Sequence, residues 1–140
     1  MAGSQNIAVD RGTVHVRTPI NAVTATTQGA GIPIQGAKKV TWFFTRANHS
    51  AGSSAFTVDI SCGDGTWVGF NMLVQNLARD AGTGTAGEDI GTTAVTTVTL
   101  SSNTTVAYAM DLSLFTAVEM RVKVTETTDG THTAKCVIEF

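Results

Sequence analysis

Residues 56–73 run Phe56-Thr57-Val58-Asp59-Ile60-Ser61-Cys62-Gly63-Asp64-Gly65-Thr66-Trp67-Val68-Gly69-Phe70-Asn71-Met72-Leu73. Phe56, Val58, Ile60 and Cys62 alternate with Thr57, Asp59 and Ser61, the period of two that marks a strand with one face covered. Gly63-Asp64-Gly65 is turn chemistry, and residues 66–73 return as a second β-prone run. The segment predicts a β-hairpin. Similar alternation extends in both directions from it.

Upstream, residues 40–45 form the strongest apolar run, with Val40, Trp42 and Phe44 on one face and Thr41, Phe43 and Thr45 on the other. An aromatic on each face predicts a central strand covered on both sides, or one whose outer face meets a partner. Residues 13–17 alternate cleanly until Pro19, which confines that run to an edge or a strand end. Residues 21–27 read as a further strand, 28–39 as a Gly-containing loop around Ile32 and Ile34, and 47–54 as a loop. Downstream, 78–91 reads as a mobile surface loop and 92–100 as a Thr/Val strand. Residues 105–111 read as another strand and 112–115 as one helical turn. In 117–125, Val118, Met120, Val122 and Val124 take one face, with Glu119, Arg121 and Lys123 on the other. Thr127-Thr128-Asp129-Gly130 then turns the chain into a last strand, 132–140. Eight or nine short strands at this spacing predict an all-β fold, a single jelly-roll-like β-sandwich over 12–140 preceded by an extended N-terminal arm, 1–11.

Composition agrees. Of 140 residues, 24 are Thr, 15 Val and 7 Ile, about a third β-branched and stiff at χ1, which argues against an all-α bundle. Only 14% of residues are charged and the formal net charge is −2, so no electrostatic footprint for DNA or RNA exists. The longest apolar stretches span a few residues, too short for a membrane helix. The N-terminus has neither a basic nor an apolar region of the kind a secretory signal needs.

Candidate sites are sparse. Cys62 and Cys136 both continue inward-facing rows, which predicts two buried thiols, with a disulfide between them as the alternative. No CxxC offers zinc ligands, and Trp67 follows Cys62 too closely for an immunoglobulin core. His15 lies on the polar face of a strand, His49 in a loop and His132 at a strand start, with no metal-binding spacing among them. No Gly-x-Ser-x-Gly elbow presents a nucleophile for a Ser-His-Asp triad. Asp59, Asp64 and Asp129 sit at strand-turn junctions without the spacing of an EF-hand loop. Residues 82–87 are glycine-rich but lack the Lys-Ser/Thr end of a P-loop. Asn48-His49-Ser50 and Asn103-Thr104-Thr105 match the glycosylation sequon only by chance if the chain is never secreted. Trp42, Phe43, Trp67, Phe70 and Tyr108 are expected mainly in the core, although two or three facing outward together would make a sugar-stacking platform. The chain therefore reads as a non-enzyme without cofactor or metal.

Gly36-Ala37-Lys38-Lys39-Val40-Thr41, Thr57-Val58-Asp59-Ile60-Ser61 and Asp64-Gly65-Thr66-Trp67-Val68 resemble small structural proteins of tailed bacteriophages. There, a similar strand precedes a similar hairpin. Val122-Lys123-Val124-Thr125-Glu126-Thr127 looks like their final hairpin, so the likeness covers about 36–75 and 117–140. Cys62-Gly63 departs from it, standing where a polar pair is more usual. The resemblance implies a virion component, either a capsid-decoration (cement) protein or a tail-tube or fibre subunit. A decoration protein of this kind binds the major capsid protein or other virion proteins and works as a homo-oligomer, a trimer by preference. Ile7, Val9 and Arg11 of the arm and Phe43 on the strand's outer face are the candidate partner contacts. A carbohydrate-binding β-sandwich is the remaining alternative.

Overall fold

Threonine, valine and isoleucine seat well on a pleated surface, and the chain becomes strand wherever they alternate cleanly. The computed structural model describes residues 6–74, 94–110, 112 and 116–140. Thirteen strands lie among them: β1 (Ile7–Arg11), β2 (Val14–Val23), β3 (Thr27–Gln28), β4 (Ile32–Pro33), β5 (Lys39–Ala47), β6 (Gly52–Ser61), β7 (Val68–Phe70), β8 (Met72–Val74), β9 (Ala94–Val95), β10 (Val98–Leu100), β11 (Thr104–Met110), β12 (Glu119–Thr128) and β13 (Thr131–Glu139). All pairings are antiparallel. One sheet runs β1-β2-β13-β5-β11-β8-β9; the other runs β10-β6-β12-β3, with β4 added to β12 and β7 to β6. The fold is an all-β sandwich.

Part of the excess over eight or nine strands comes from short pieces that exchange sheets; β1, in the expected arm, and β4, in the expected loop at 28–39, supply the rest. The hairpin of residues 56–73 forms, with Val58 opposite Phe70 and Ile60 opposite Val68. Its second arm breaks at Asn71: β7 stays with β6, while β8 crosses to pair with β11. The 92–100 strand divides likewise, β9 joining β8 and β10 joining β6. The predicted loop at 78–91 and helical turn at 112–115 lie outside the described residues, except for Leu112.

Pro19 does not end its strand. It lies inside β2, where Arg17 pairs with Cys136 and Ile20 with Ala134, so two residues of β2 face one of β13. Such a bulge relieves the ladder of the N–H that proline lacks. A second irregularity follows at Ala22, at φ 52°, whose N–H bonds the Thr133 hydroxyl at 3.1 Å. Residues 21–27 are consequently the end of β2, a bend and the short β3. Residues 7–11 of the expected arm are extended and pair along β2, joined to it by the two-residue turn Gly12-Thr13. Gly12, at φ 63°, gives that turn the backbone sign a tight hairpin requires.

The core lies between the sheets. Phe44 of β5 stacks on Trp42 at 5.8 Å between ring centroids and reaches across to Phe56 of β6 at 4.7 Å. The Trp42 indole N–H is directed at the Met110 sulfur, 3.3 Å away. Met120, Val122 and Val124 of β12 and Ala134, Cys136 and Ile138 of β13 complete the inward rows. Each large apolar side chain buried there contributes about 1.5–3 kcal/mol.

Candidate functional site

The inward row of β5 does not stop at Phe44. Alternation places Arg46 next in line, and its side chain is only 1% exposed. A guanidinium there requires acceptors in fixed directions, and neighbouring turns and strand ends supply them. Its Nη1 donates to the Gly52 and Leu100 carbonyls at 2.7 and 3.2 Å; its Nη2 donates to the Ala51 and Asp129 carbonyls, both at 2.7 Å. The Asp129 carboxylate lies 3.6 Å from Nη2. That carboxylate also accepts from the Ser50 hydroxyl and from the Ser50 and Ala51 amides. These bonds, led by the Ser50 hydroxyl, pull its pKa down to about 2.

His132 begins the inward row of β13 and is fully buried, as is Ser54 of β6. Carboxylate oxygens only accept, so the His132 Nε2–H donates to Glu126, at 2.7 Å, while Nδ1 meets the Ser54 hydroxyl, also at 2.7 Å. Gly130 permits this crowding, because a Cβ there would stand 2.9 Å from Arg46 Nε and 3.0 Å from His132 Cε1. Ser54, His132 and Glu126 have the composition of a hydrolytic triad, and sequence reading missed the grouping because its members lie on three strands. Ser54 and His132 are fully buried while Glu126 is partly exposed, so the arrangement is a polar clamp in which the serine oxygen faces no solvent from which a substrate could approach.

The outer face of the seven-stranded sheet is different. Strand register sets Ile7 and Val9 of β1, Val14 and Val16 of β2, Val137 of β13, Thr41 and Phe43 of β5, and Ala107 of β11 on one surface. Ile7, Val9 and Phe43 are 43%, 41% and 36% exposed, so three of the four expected partner contacts stand on this face. The fourth, Arg11, belongs to β1, and its side chain lies outside the described residues. Lys135, opposite Phe43, is the charge nearest the middle of the surface.

Both cysteines are free thiols, as expected, but only one of them is buried. Cys136 is buried, and burial pushes its thiol up to about 12. Cys62 is exposed and free, which corrects both its inward placement and the disulfide alternative. β6 ends at Ser61, so strand parity ceases to apply one residue before Cys62. The Ser61 hydroxyl accepts from the Gly63 amide at 3.0 Å and holds that departure from the sheet.

His15 is half-buried, its ring 4.9 Å from Phe140. Asp64 acts as turn chemistry, its carboxylate accepting from the Thr66 amide at 2.9 Å, a bond that holds its pKa below the usual carboxylate value. Asp59 pairs with Arg121 at 3.1 Å, and that guanidinium stacks 4.4 Å from the Trp67 ring. Phe43 and Trp67 thus attach to opposite sheets, and among the described residues they make no adjoining aromatic platform. No group of three His, Cys, Asp or Glu side chains among those residues converges on a metal position.

No family model matches the chain, and no curated protein matches it in sequence. The crystal structure of the SPBc2 prophage-derived protein YomS is similar in fold, with a TM-score of 0.60 at 12% identity over 95% of this chain and 98% of that one. The likeness spans both chains almost end to end, so it concerns the whole sandwich and not a shared hairpin.

Proposed function

We propose that the chain is a non-enzymatic structural subunit of a bacteriophage particle, a capsid-decoration protein that binds the assembled head shell as an oligomer. The observation that carries this reading is the near-complete fold correspondence with a prophage-derived protein. The sequence resemblance to phage structural proteins supports it independently, through the strand and hairpin at 36–68. Two features of the site agree with it. Ser54 and His132 are fully buried, and three of the four exposed large apolar side chains, Ile7, Val9 and Phe43, share one sheet face as a contact surface would, Val68 standing apart on the other sheet.

A tail-tube or fibre subunit is the second reading. It is favoured by the two unlike ends of the larger sheet, β1 and β9, which suit head-to-tail addition. Purified particles of the phage carrying the gene, labelled with a gold-tagged antibody to this chain, separate the readings. Label on heads supports decoration. Label on tails transfers the chain to the second reading, and unlabelled particles overturn both. Light scattering on the isolated protein adds the oligomer size, a trimer being the state the resemblance implies.

A further inference from the structure

The edge at β1 has a chemistry that selects its own occupant. In the two-residue hairpin Arg11 and Val14 close the turn, so Ile7, Val9 and Arg11 direct their backbone groups to β2. Ala8 and Asp10 direct theirs the other way, and among the described residues no strand pairs with them. Sheet edges are usually guarded by lysine, proline or a bulge. The strand Ile-Ala-Val-Asp-Arg contains no lysine or proline and pairs with β2 without a register shift. Its one described charge, Asp10, is taken up by Arg17 at 2.5 Å, with His15 at 3.5 Å. What remains open is a ladder edge flanked by exposed Ile7 and Val9.

We propose that β1 pairs with β1 of a second copy of this chain, antiparallel about a twofold axis at Ala8. In that register Ala8 faces itself, and Ile7 faces Val9 of the other copy in a close, non-hydrogen-bonded pair. Asn6 faces Asp10, so an amide meets the carboxylate. An axis at Asp10 would oppose two carboxylates, and like charges directly opposite destabilise a strand pair. Charge thus excludes the Asp10 register, and among the registers left the Ala8 one places Ile7 against Val9, covering the two most exposed aliphatic side chains among the described residues of the larger sheet. The two seven-stranded sheets become one continuous sheet across the axis. Two five-residue strands bury less than the roughly 1,600 Å² of a standard interface, so the contact is weak alone and gains from copies held at high local density. It does not depend on whether the copies stand on a head or elsewhere.

Two measurements test it. Sedimentation from micromolar to millimolar concentration is expected to show the mass rising toward twice its starting value for the native chain, and the same rise displaced to at least about tenfold higher concentration for Ala8→Pro. That substitution removes only an outward N–H and leaves the β1–β2 ladder intact; its dissociation constant rises about tenfold or more. An Ala8→Pro chain that assembles like the native one overturns the proposal. The second measurement needs no proline. In a Cys62→Ser background, Ile7→Cys and Val9→Cys chains carrying tags of different length are mixed and oxidised. The twofold register expects disulfides between the two variants and few within either, because position 7 lies opposite 9 while 7 to 7 spans a diagonal. Cross-links as frequent within one variant as between them, or none, overturn it, and absence of cross-links with retained assembly transfers the contact to another surface.

Discussion

Two rows of side chains leave the same strand, β5, in opposite directions, and they teach different things about the molecule. The inner row is Val40, Trp42, Phe44 and Arg46, none more than 1% exposed. The outer row is Thr41, Phe43 and Thr45, with Phe43 at 36%. Both rows carry aromatic residues, so hydrophobicity alone does not separate them. What separates them is what stands opposite: the inner row meets a second sheet through Phe56, whereas the outer row meets no strand or loop among the described residues. The inner row holds the sandwich together, and the outer row is, under the proposed function, the one left for assembly.

The largest test of that contrast is Phe44→Ala. Phe44 touches the rings of Trp42, Phe56 and Tyr108, linking both sheets. Its removal leaves a cavity that rigid strands cannot close, and a loss of about 3–5 kcal/mol is expected from denaturant unfolding. A loss under about 1 kcal/mol would mean that the sheets are not joined through this stack.

Arg46→Met tests the far end of the same row with a side chain of similar length. The substitution keeps the apolar stem but leaves the carbonyls of Ala51, Gly52, Leu100 and Asp129 without their donor. A loss of about 2–4 kcal/mol is expected, less than for Phe44 because carbonyls near the sandwich end regain water. Acid titration reads the same clamp from its other side. With its pKa drawn down to about 2, Asp129 contributes stability above the ordinary carboxylate pKa of about 3.9, and that contribution fades as pH falls toward 2. The native chain should therefore lose more stability between pH 5 and pH 2 than Asp129→Asn, as read by melting at each pH; equal losses would detach Asp129 from the clamp.

How much of this was legible in the sequence follows from how far parity extends. Val40, Trp42, Phe44, Met120, Val122, Val124, Cys136 and Ile138 were all placed inward by alternation, because each lies within an unbroken strand. The same parity reaches Arg46 and His132, but residue type suggests the surface for both, and only carbonyls and carboxylates brought from distant turns make them tolerable inside. Cys62 fails in the opposite way: its type and parity agree, yet the strand ends at Ser61. Asn71 marks a limit of another sort. Phe70 and Met72 have the same parity whether the strand continues or changes sheets, so nothing local records the crossing. The outer-face reading of Phe43 is accessible because an apolar residue on the polar side of a strand is visible without any tertiary knowledge; Ile7 and Val9 read only as apolar residues of an arm, because nothing local records that the arm pairs with β2.

The smallest expected effect is also the sharpest on function. Phe43→Thr substitutes a residue that already occupies both neighbouring outer positions, Thr41 and Thr45, and it suits a strand as well as phenylalanine does. Its cross-strand neighbours are Lys135 and Ala107, so no packed aromatic cluster is lost. Folding stability should change by no more than about 0.5 kcal/mol, since the ring gives up only part of its surface to the protein. Assembly should respond differently. If the outer face is where copies or shell proteins meet, a ring at its middle contributes to a buried contact, and Phe43→Thr should weaken oligomerisation or particle binding without moving the melting temperature. The pair of readouts is what makes the comparison breakable. A large melting shift would show that the outer row is already covered within the monomer, and unchanged assembly at unchanged stability would remove Phe43 from the contact and leave the edge at β1 to carry it.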